Sequence, residues 1–218
     1  MAERVVLMTV GTTRFEELTW AALGDGALVT ALEAAGYTGL VVQHGRGAVP
    51  SASRSLPLES WNFPEDAADR VGIPSSSIYF EREGGGEAFQ VRHVDFVRGL
   101  PELMKRCALV ISHAGAGSMF EALKAGVPCI AVPNARLMNN HQVELARRLH
   151  DLGHLFMAQS AEHVAAMVHR VTNASDGDLV PYRAGIGAKV VAERIDTLFR
   201  KQRAGPSSWV ARLLDRWV

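Results

Sequence analysis

The chain has 218 residues, of which 48% are hydrophobic and 21% charged, as in an ordinary α/β protein with one sizeable core. Its 23 basic and 23 acidic residues cancel, and it lacks the basic excess of a nucleic-acid-binding protein. No apolar run approaches the length of a membrane span, so we expect no nucleic-acid partner and no crossing of a bilayer. Two cysteines beside apolar runs fit buried, reduced thiols and a cytoplasmic location.

The first 87 residues predict two strand–helix units followed by an irregular insertion. Val5 to Val10 is apolar, rich in β-branched residues and closed by a glycine, which predicts a buried strand. A helix is predicted next over 15–23. After a break at Gly24 and Gly26 it continues to residue 35, and a strand is predicted over 39–43. Clusters of Gly, Ser and Pro from about 45 to 87 predict the insertion, with a short strand over 77–81.

The rest of the chain alternates strands and helices more regularly. Strands are predicted over 88–94, 108–112, 129–132 and 155–158, and helices over 96–106, 118–125, 141–152, 161–171 and 187–201. This alternation predicts an α/β fold, a Rossmann-like parallel sheet with helices on both faces, within one domain over 1–203. Residues 204–218 predict an amphipathic C-terminal helix that packs on its own domain, a partner subunit or a membrane interface.

Ligands of such sheets bind at the carboxyl ends of the strands, and the first polar turn there is Gly11-Thr12-Thr13. Glycine permits a close approach of the backbone, and two hydroxyls beside free N–H groups suit a diphosphate or a sugar hydroxyl. A plain turn with a threonine helix cap explains the same residues equally well.

A second turn is more specific, because it joins an apolar strand to a helix through small residues. Its members are Ser112, His113, Ala114, Gly115, Ala116, Gly117 and Ser118. The first N–H groups of a helix have no partner within the helix, and the helix dipole favours an anion there. The glycine spacing differs from the dinucleotide fingerprint, and no P-loop lysine follows. The segment therefore predicts a diphosphate cradle.

Two further groups carry both a structural and a functional interpretation. Glu121, three residues after Ser118, fits either a Ser-x-x-Glu capping box or a carboxylate that accepts hydrogen bonds from a ribose. Asn140, His141 and Gln142 fit either a helix start or a set of amide and imidazole groups that contact a sugar. No Asp-x-Asp metal motif stands in a suitable place, so we expect no bound metal and no cofactor.

The segment VISHAGAGSMFEALKAGVP, Val110 to Pro128, resembles the donor-binding signature of the GT-B glycosyltransferases, most closely the bacterial GlcNAc transferase of peptidoglycan synthesis. The segments MNNHQVELA, Met138 to Ala146, and VGTTRFEEL, Val10 to Leu18, narrow the resemblance. Together they resemble the cytosolic catalytic subunits of the two-subunit enzyme that adds GlcNAc to dolichyl-diphosphate-GlcNAc. The resemblance covers roughly residues 3–43 and 93–160.

The resemblance implies one half of a GT-B glycosyltransferase that binds UDP-GlcNAc. Gly11 to Thr13 and Ser112 to Ser118 would then surround the diphosphate, Glu121 the ribose, and Asn140, His141 and Gln142 the GlcNAc ring. It also implies a membrane-anchored partner subunit that binds the lipid-diphosphate-linked sugar acceptor and recruits this chain to the cytosolic face of the endoplasmic reticulum. Two alternatives remain: the donor-binding subunit of a bacterial two-chain exopolysaccharide transferase, and a non-catalytic nucleotide-sugar-binding module.

Overall fold

The computed structural model describes residues 4–24, 26–49, 77–80, 89–97, 99–134, 140–174 and 178–182, with backbone alone at 77–80 and 140–141. Residues 1–180 form one compact unit, and the second unit, 181–218, is described only at its first two residues. Most of the predicted insertion, the predicted helix over 187–201 and the C-terminal helix over 204–218 therefore lie outside the described residues. The domain division stays a prediction.

Seven strands in the described part of the chain form one sheet in the order β3-β4-β2-β1-β5-β6-β7. The strands are β1 Val5–Thr9, β2 Gly39–Gln43, β3 Ser77–Phe80, β4 Phe89–Val94, β5 Leu109–Ser112, β6 Cys129–Ala131 and β7 Phe156–Met157. Neighbouring strands are parallel except at the edge, where β3 runs antiparallel to β4. The predicted Rossmann-like parallel sheet is confirmed, with one antiparallel strand added at its edge.

Helices form two groups that pack on the two faces of this sheet. They are α1 Glu16–Leu23, α2 Ala27–Ala34, α3 Leu100–Met104, α4 Ala116–Ala125, α5 Asn140–Asp151, and a 3-10 turn Ala161–His163 that leads into α6 Val164–Thr172. Helix α2 contacts α1 and α6, whereas α4 contacts α3 and α5. Successive strand residues point to opposite faces, so each strand supplies apolar side chains to both groups.

The two faces of β1 show this division of the core. Met8 belongs to one large buried cluster that also contains Leu18 of α1, Leu32 of α2 and Val164 of α6. Leu7, which points the other way, is also fully buried. Burial of each such side chain contributes about 1.5–3 kcal/mol to folding. Runs that are almost entirely apolar, such as the β1 sequence VVLMT, suit a strand covered on both faces.

Two helix starts differ from the sequence prediction. Helix α3 begins at Leu100 rather than Phe96, because Gly99 takes the left-handed conformation (φ 73°) at the N-cap and proline follows within the first turn. Helix α4 begins at Ala116 rather than Ser118, because extended Gly115 is the N-cap and both following residues are already helical. The second difference changes the chemistry of the site.

Candidate functional site

The polar turns predicted from the sequence lie together at the carboxyl edge of the sheet. In the parallel register, Thr9 at the end of β1 pairs with Gln43 on one side and Ser112 on the other. The β1 turn at Gly11 is thus flanked by the segments that follow β2 and β5. The structure brings the first two predicted groups into one place.

His113 lies between two glycines of these turns. A Cβ atom built on Gly11 would stand 2.9 Å from the His113 ring atom Cε1, and one on Gly115 would stand 2.3 Å from Nε2. Gly115 has an ordinary extended backbone, so its need for glycine is purely steric. Neither position has room for a side chain while the ring stays where it is. Both glycines are thus explained by the imidazole between them.

The His113 ring is held in one protonation form. Its Nδ1 lies 3.2 Å from the carbonyl oxygen of Thr9, which also accepts the backbone N–H of His113 at 3.0 Å. A carbonyl oxygen only accepts, so Nδ1 carries the proton and Nε2 keeps its lone pair. Burial lowers the pKa of His113, against the smaller opposing effect of the Thr9 carbonyl. His113 is therefore neutral near pH 7, with Nε2 facing the start of α4.

Among the described residues, no atom accepts a hydrogen bond from the first backbone amides of α4. The first intrahelical bond runs from the N–H of Met119 to the carbonyl of Gly115 at 3.0 Å, and no side chain caps the helix. The preceding N–H groups, from Gly115 to Ser118, therefore have no acceptor within the helix. Ala116 and Gly117 are partly exposed, whereas Gly115 and Ser118 are buried. The arrangement suits an anion at the positive end of the helix dipole.

Two residues just before α4 are in energetically unfavourable states. Ala114 has a φ of 60°, in the left-handed region that residues with a side chain seldom occupy. The hydroxyl of Ser112 is fully buried and has no hydrogen-bond partner among the described residues. Strained backbone and unpaired buried polar atoms concentrate at functional sites. Both features lie in the predicted cradle.

Glu121 is not part of a capping box. With Gly115 as the N-cap, Ser118 is the third helical residue and Glu121 lies in the second turn, too far along to bond back to the N-cap amide. The structural interpretation of this pair is therefore wrong. Partial burial raises the pKa of Glu121, and nearby Lys124 opposes that shift. Because Gly115 is the N-cap and no side chain caps α4, the Glu121 carboxylate has no capping role.

The β1 turn is built differently from the threonine cap that was the alternative explanation. The N-cap of α1 is Phe15, with no side-chain cap, so neither threonine caps this helix. The Thr13 hydroxyl donates to the carbonyl of Val10 at 2.8 Å, while Thr12 is exposed. Gly11 takes the left-handed conformation (φ 63°). The Thr13 hydroxyl thus helps to close the turn, and Thr12 stays exposed.

The third predicted group begins α5, as expected from the amide-rich sequence. The helix starts at Asn140, and the side chains of Asn140 and His141 lie outside the described residues. Gln142 is partly exposed in the first turn. A missed residue connects this side of the sheet to the segment after the Gly11–Thr13 turn: Asn134, buried after β6, donates from Nδ2 to the carbonyl of Arg14 at 3.2 Å.

A second missed residue is Gln43, the last residue of β2. Its side chain is 2% exposed and bonds to the backbone of Gly11. Its position in the sequence could have identified it as a site residue. A glutamine at the end of an apolar parallel strand places an amide at the edge of the sheet where ligands bind. No part of the described chain brings three His, Cys, Asp or Glu side chains together as metal ligands. Within the same residues, no helix is long and apolar enough to span a membrane.

Comparisons with a family model and with individual proteins identify the same family. The glycosyltransferase family 28 C-terminal domain matches residues 74–184. The UDP-N-acetylglucosamine transferase subunit ALG13 of Mus musculus is 37% identical over 152 residues, which are 68% of this chain and 10% of that protein. ALG13 of Eremothecium gossypii is 30% identical over 189 residues, 84% of this chain and 89% of that protein. The chain spans about a tenth of the length of the mouse and human relatives, 10% and 11%.

Solved structures agree on the fold. The NMR solution structure of ALG13 has a TM-score of 0.60 at 22% identity, covering 90% of this chain and 97% of that one. The crystal structure of Acinetobacter baumannii MurG has a TM-score of 0.51 at 15% identity, covering 99% of this chain and 50% of that one. The fold is one half of a GT-B glycosyltransferase. The chain belongs to the glycosyltransferase family 28 C-terminal domain family and, within it, to the ALG13 subunits.

Proposed function

We propose that this chain binds UDP-GlcNAc and, together with a partner subunit, transfers GlcNAc to dolichyl-diphosphate-GlcNAc in the synthesis of the N-glycan precursor. The observation that carries the proposal is the uncapped start of α4, which lies beside the His113 ring that also packs against Gly11. Such amides bind a diphosphate without a metal ion or a lysine. The ALG13 relatives are named UDP-N-acetylglucosamine transferase subunits, which supports this choice of donor.

In this proposal the donor lies across the carboxyl edge of the sheet. The diphosphate binds the residues from Ser112 to Ser118 with Gly11, Thr12 and Thr13 opposite. The ribose diol donates to the Glu121 carboxylate, which is left without a capping partner. The GlcNAc ring contacts Asn140, His141 and Gln142, whose amide groups both donate and accept as sugar hydroxyls require.

The chemical contribution of the chain is electrostatic. An acceptor hydroxyl oxygen attacks the anomeric carbon, the bond from that carbon to the UDP oxygen breaks, and UDP leaves with the electron pair. Negative charge therefore grows on the diphosphate in the transition state. Fixed N–H donors at a helix start stabilise it without reorganisation, and removing one donor from such a site typically costs about 10²–10³ in rate. The base that accepts the hydroxyl proton belongs, in this proposal, to the partner subunit.

A partner is part of the proposal because GT-B enzymes react their substrates in the cleft between two halves, and this fold is one half. We propose that a membrane-anchored subunit supplies the acceptor-binding half and recruits the chain to the cytosolic face of the endoplasmic reticulum. The relatives' designation as subunits supports an assembly of this kind.

The test is a transfer assay in membranes that contain an anchored ALG13-partner subunit, with and without the co-expressed chain. We expect GlcNAc transfer from UDP-GlcNAc only when both subunits are present. Turnover by the purified chain alone on the lipid acceptor would disprove the split enzyme. Binding of UDP-GlcNAc without turnover in the complete assembly would identify a non-catalytic module, and preference for another UDP-sugar in competition would identify a different transferase.

A further inference from the structure

The Gln43 side chain makes four hydrogen bonds at the carboxyl edge of the sheet. Its Oε1 accepts the Thr9 hydroxyl at 2.5 Å and the Gly11 N–H at 3.0 Å. Its Nε2 donates to the Gly11 carbonyl and to the Asp95 carbonyl, both at 2.7 Å. A primary amide has two donors and two lone pairs, so its capacity is fully used. The contacts also fix the orientation of the amide, because only the NH₂ end donates to carbonyls.

Both polar groups of Gly11 are therefore held by one side chain. The Gly11 N–H is shared between Gln43 Oε1 and the Thr9 hydroxyl oxygen, 3.1 Å away. Gly11 in turn faces the His113 ring, with no room for a Cβ between them. A shift of the Gly11 peptide would therefore move the wall against which His113 packs.

The same amide joins a third segment to the turn. The Asp95 carbonyl accepts both Gln43 Nε2 and the Gly45 N–H, and the Asp95 carboxylate pairs with His44 Nε2 at 3.1 Å. A Cβ on Gly45 would stand 2.7 Å from the Gly11 carbonyl oxygen, so the segments after β1 and β2 are in close contact. Gln43 thus connects the ends of β1, β2 and β4.

We propose that Gln43 is a positioning residue that holds the Gly11–Thr13 turn and, through it, His113 in the geometry that receives the donor diphosphate. The assignment rests on the proposed function, because it gives the turn a role in donor binding. Gln43 itself does not touch the donor. Its effect acts through Gly11, and Thr9 contributes by orienting the amide.

The critical experiment compares Gln43→Glu with Gln90→Glu in the full-length chain. Glutamate keeps the shape of Gln43 but sets an oxygen against the carbonyls of Gly11 and Asp95, so both donated bonds are lost. Gln90 is a glutamine on the neighbouring strand, paired with Gly39 and so about 13 Å along the strands from Gln43. The chemical change is identical, and only one site lies at the ligand edge.

Three quantities are measured for each variant: the UDP-GlcNAc dissociation constant, the thermal midpoint and the hydrogen-exchange rate of the Gly11 amide. We expect Gln43→Glu to raise the dissociation constant at least about tenfold, since buried unpaired carbonyls carry such costs. Gly11 exchange should speed up by a similar factor, because repulsion between the new oxygen and the Gly11 carbonyl shifts this peptide away from the acceptors of its N–H. Gln90→Glu should leave both within about twofold, whatever its thermal midpoint. A fall in midpoint alone would mark Gln43 as merely structural and overturn the proposal.

A second pair of variants keeps the test decisive if Gln43→Glu does not fold. Thr9→Val removes the hydroxyl that orients the amide and should weaken UDP-GlcNAc binding about fivefold, whereas Thr9→Ser should restore wild-type affinity. Equal affinity in both would overturn the positioning role. Failure of the wild-type chain to bind UDP-GlcNAc would instead disprove the proposed function, and unchanged Gly11 exchange in Gln43→Glu would disprove the positioning role by itself.

Discussion

Gly115→Ala isolates the contact between His113 and the start of α4. Gly115 has φ −67° and ψ 129°, which alanine adopts without strain, so the substitution adds only one methyl group. That methyl would stand 2.3 Å from His113 Nε2 and 2.4 Å from Cε1. The ring must retreat by about 1 Å to reach the 3.4 Å at which ordinary contact begins. Its Nδ1 is already 3.2 Å from the Thr9 carbonyl, so the retreat breaks that bond.

The expected cost follows from these contacts. The Thr9 carbonyl keeps the backbone N–H of His113, but the imidazole Nδ1–H loses its acceptor in a buried site. Leaving one such donor unpaired, together with overpacking, lowers the free energy of unfolding by about 1–3 kcal/mol. Displacement of the ring from its place beside the start of α4 should weaken UDP-GlcNAc binding by at least about tenfold, equivalent to about 1.4 kcal/mol.

The assay pairs isothermal titration with UDP-GlcNAc and urea unfolding, using Gly126→Ala as the control. Gly126 ends the same helix with φ 70° and has no atom within 4 Å of its added Cβ. Alanine there costs about 1–2 kcal/mol through backbone strain alone and should leave affinity unchanged. Wild-type affinity in Gly115→Ala, with the His113 Nδ1 proton still hydrogen-bonded by NMR, would refute the assigned packing.

Two further predictions concern His113 and Glu121. Burial holds the pKa of His113 in the folded chain below its usual 6.5. As the pH falls, His113 therefore becomes protonated in the unfolded chain before it does in the folded one. Stability should be full above about pH 6.5 and decline below it, and His113→Gln should lessen the decline between urea titrations at pH 7.5 and 5.5. Glu121→Ala should weaken UDP-GlcNAc binding about tenfold, because the ribose loses its acceptor. The thermal midpoint should change little, because Glu121 does not cap α4. A large fall in the thermal midpoint with unchanged affinity would contradict the ribose assignment.

The sheet was predictable because its strands are buried on both faces. A segment such as GLVVQ has adjacent apolar residues rather than an alternating pattern because both of its faces are covered, and its glycine-rich borders mark where it ends. Helix starts were less predictable, since several residues in a row fit the role of N-cap. Ser118 is a better cap by residue type than Gly115, yet the chain turns into the helix at Gly115. Gly115 is also the position where a Cβ would overlap the His113 ring, and the residue pattern alone does not show that contact.

The hydrogen bonds of Gln43 could not be predicted from the sequence, for a different reason. Its partners Gly11 and Asp95 are 32 and 52 residues away in sequence, and they meet only through the strand order of the sheet. Local patterns show that a polar residue ends β2 but not what it bonds. Long-range hydrogen bonds of this kind follow from topology, so they are known only once the neighbours of β2 are known.

The start of α4 combines features that each lower stability. A serine or aspartate at the N-cap would be better than Gly115, Ala114 has a left-handed backbone, and the buried Ser112 hydroxyl has no partner among the described residues. The glycine N-cap costs roughly a few tenths of a kcal/mol, the other two features cost on the order of 1 kcal/mol each, and all three lie within four consecutive residues. A side-chain cap would satisfy the free amides but would also fill the place of an anion. The absence of a cap is therefore understandable if a diphosphate serves as the acceptor that the chain itself does not provide.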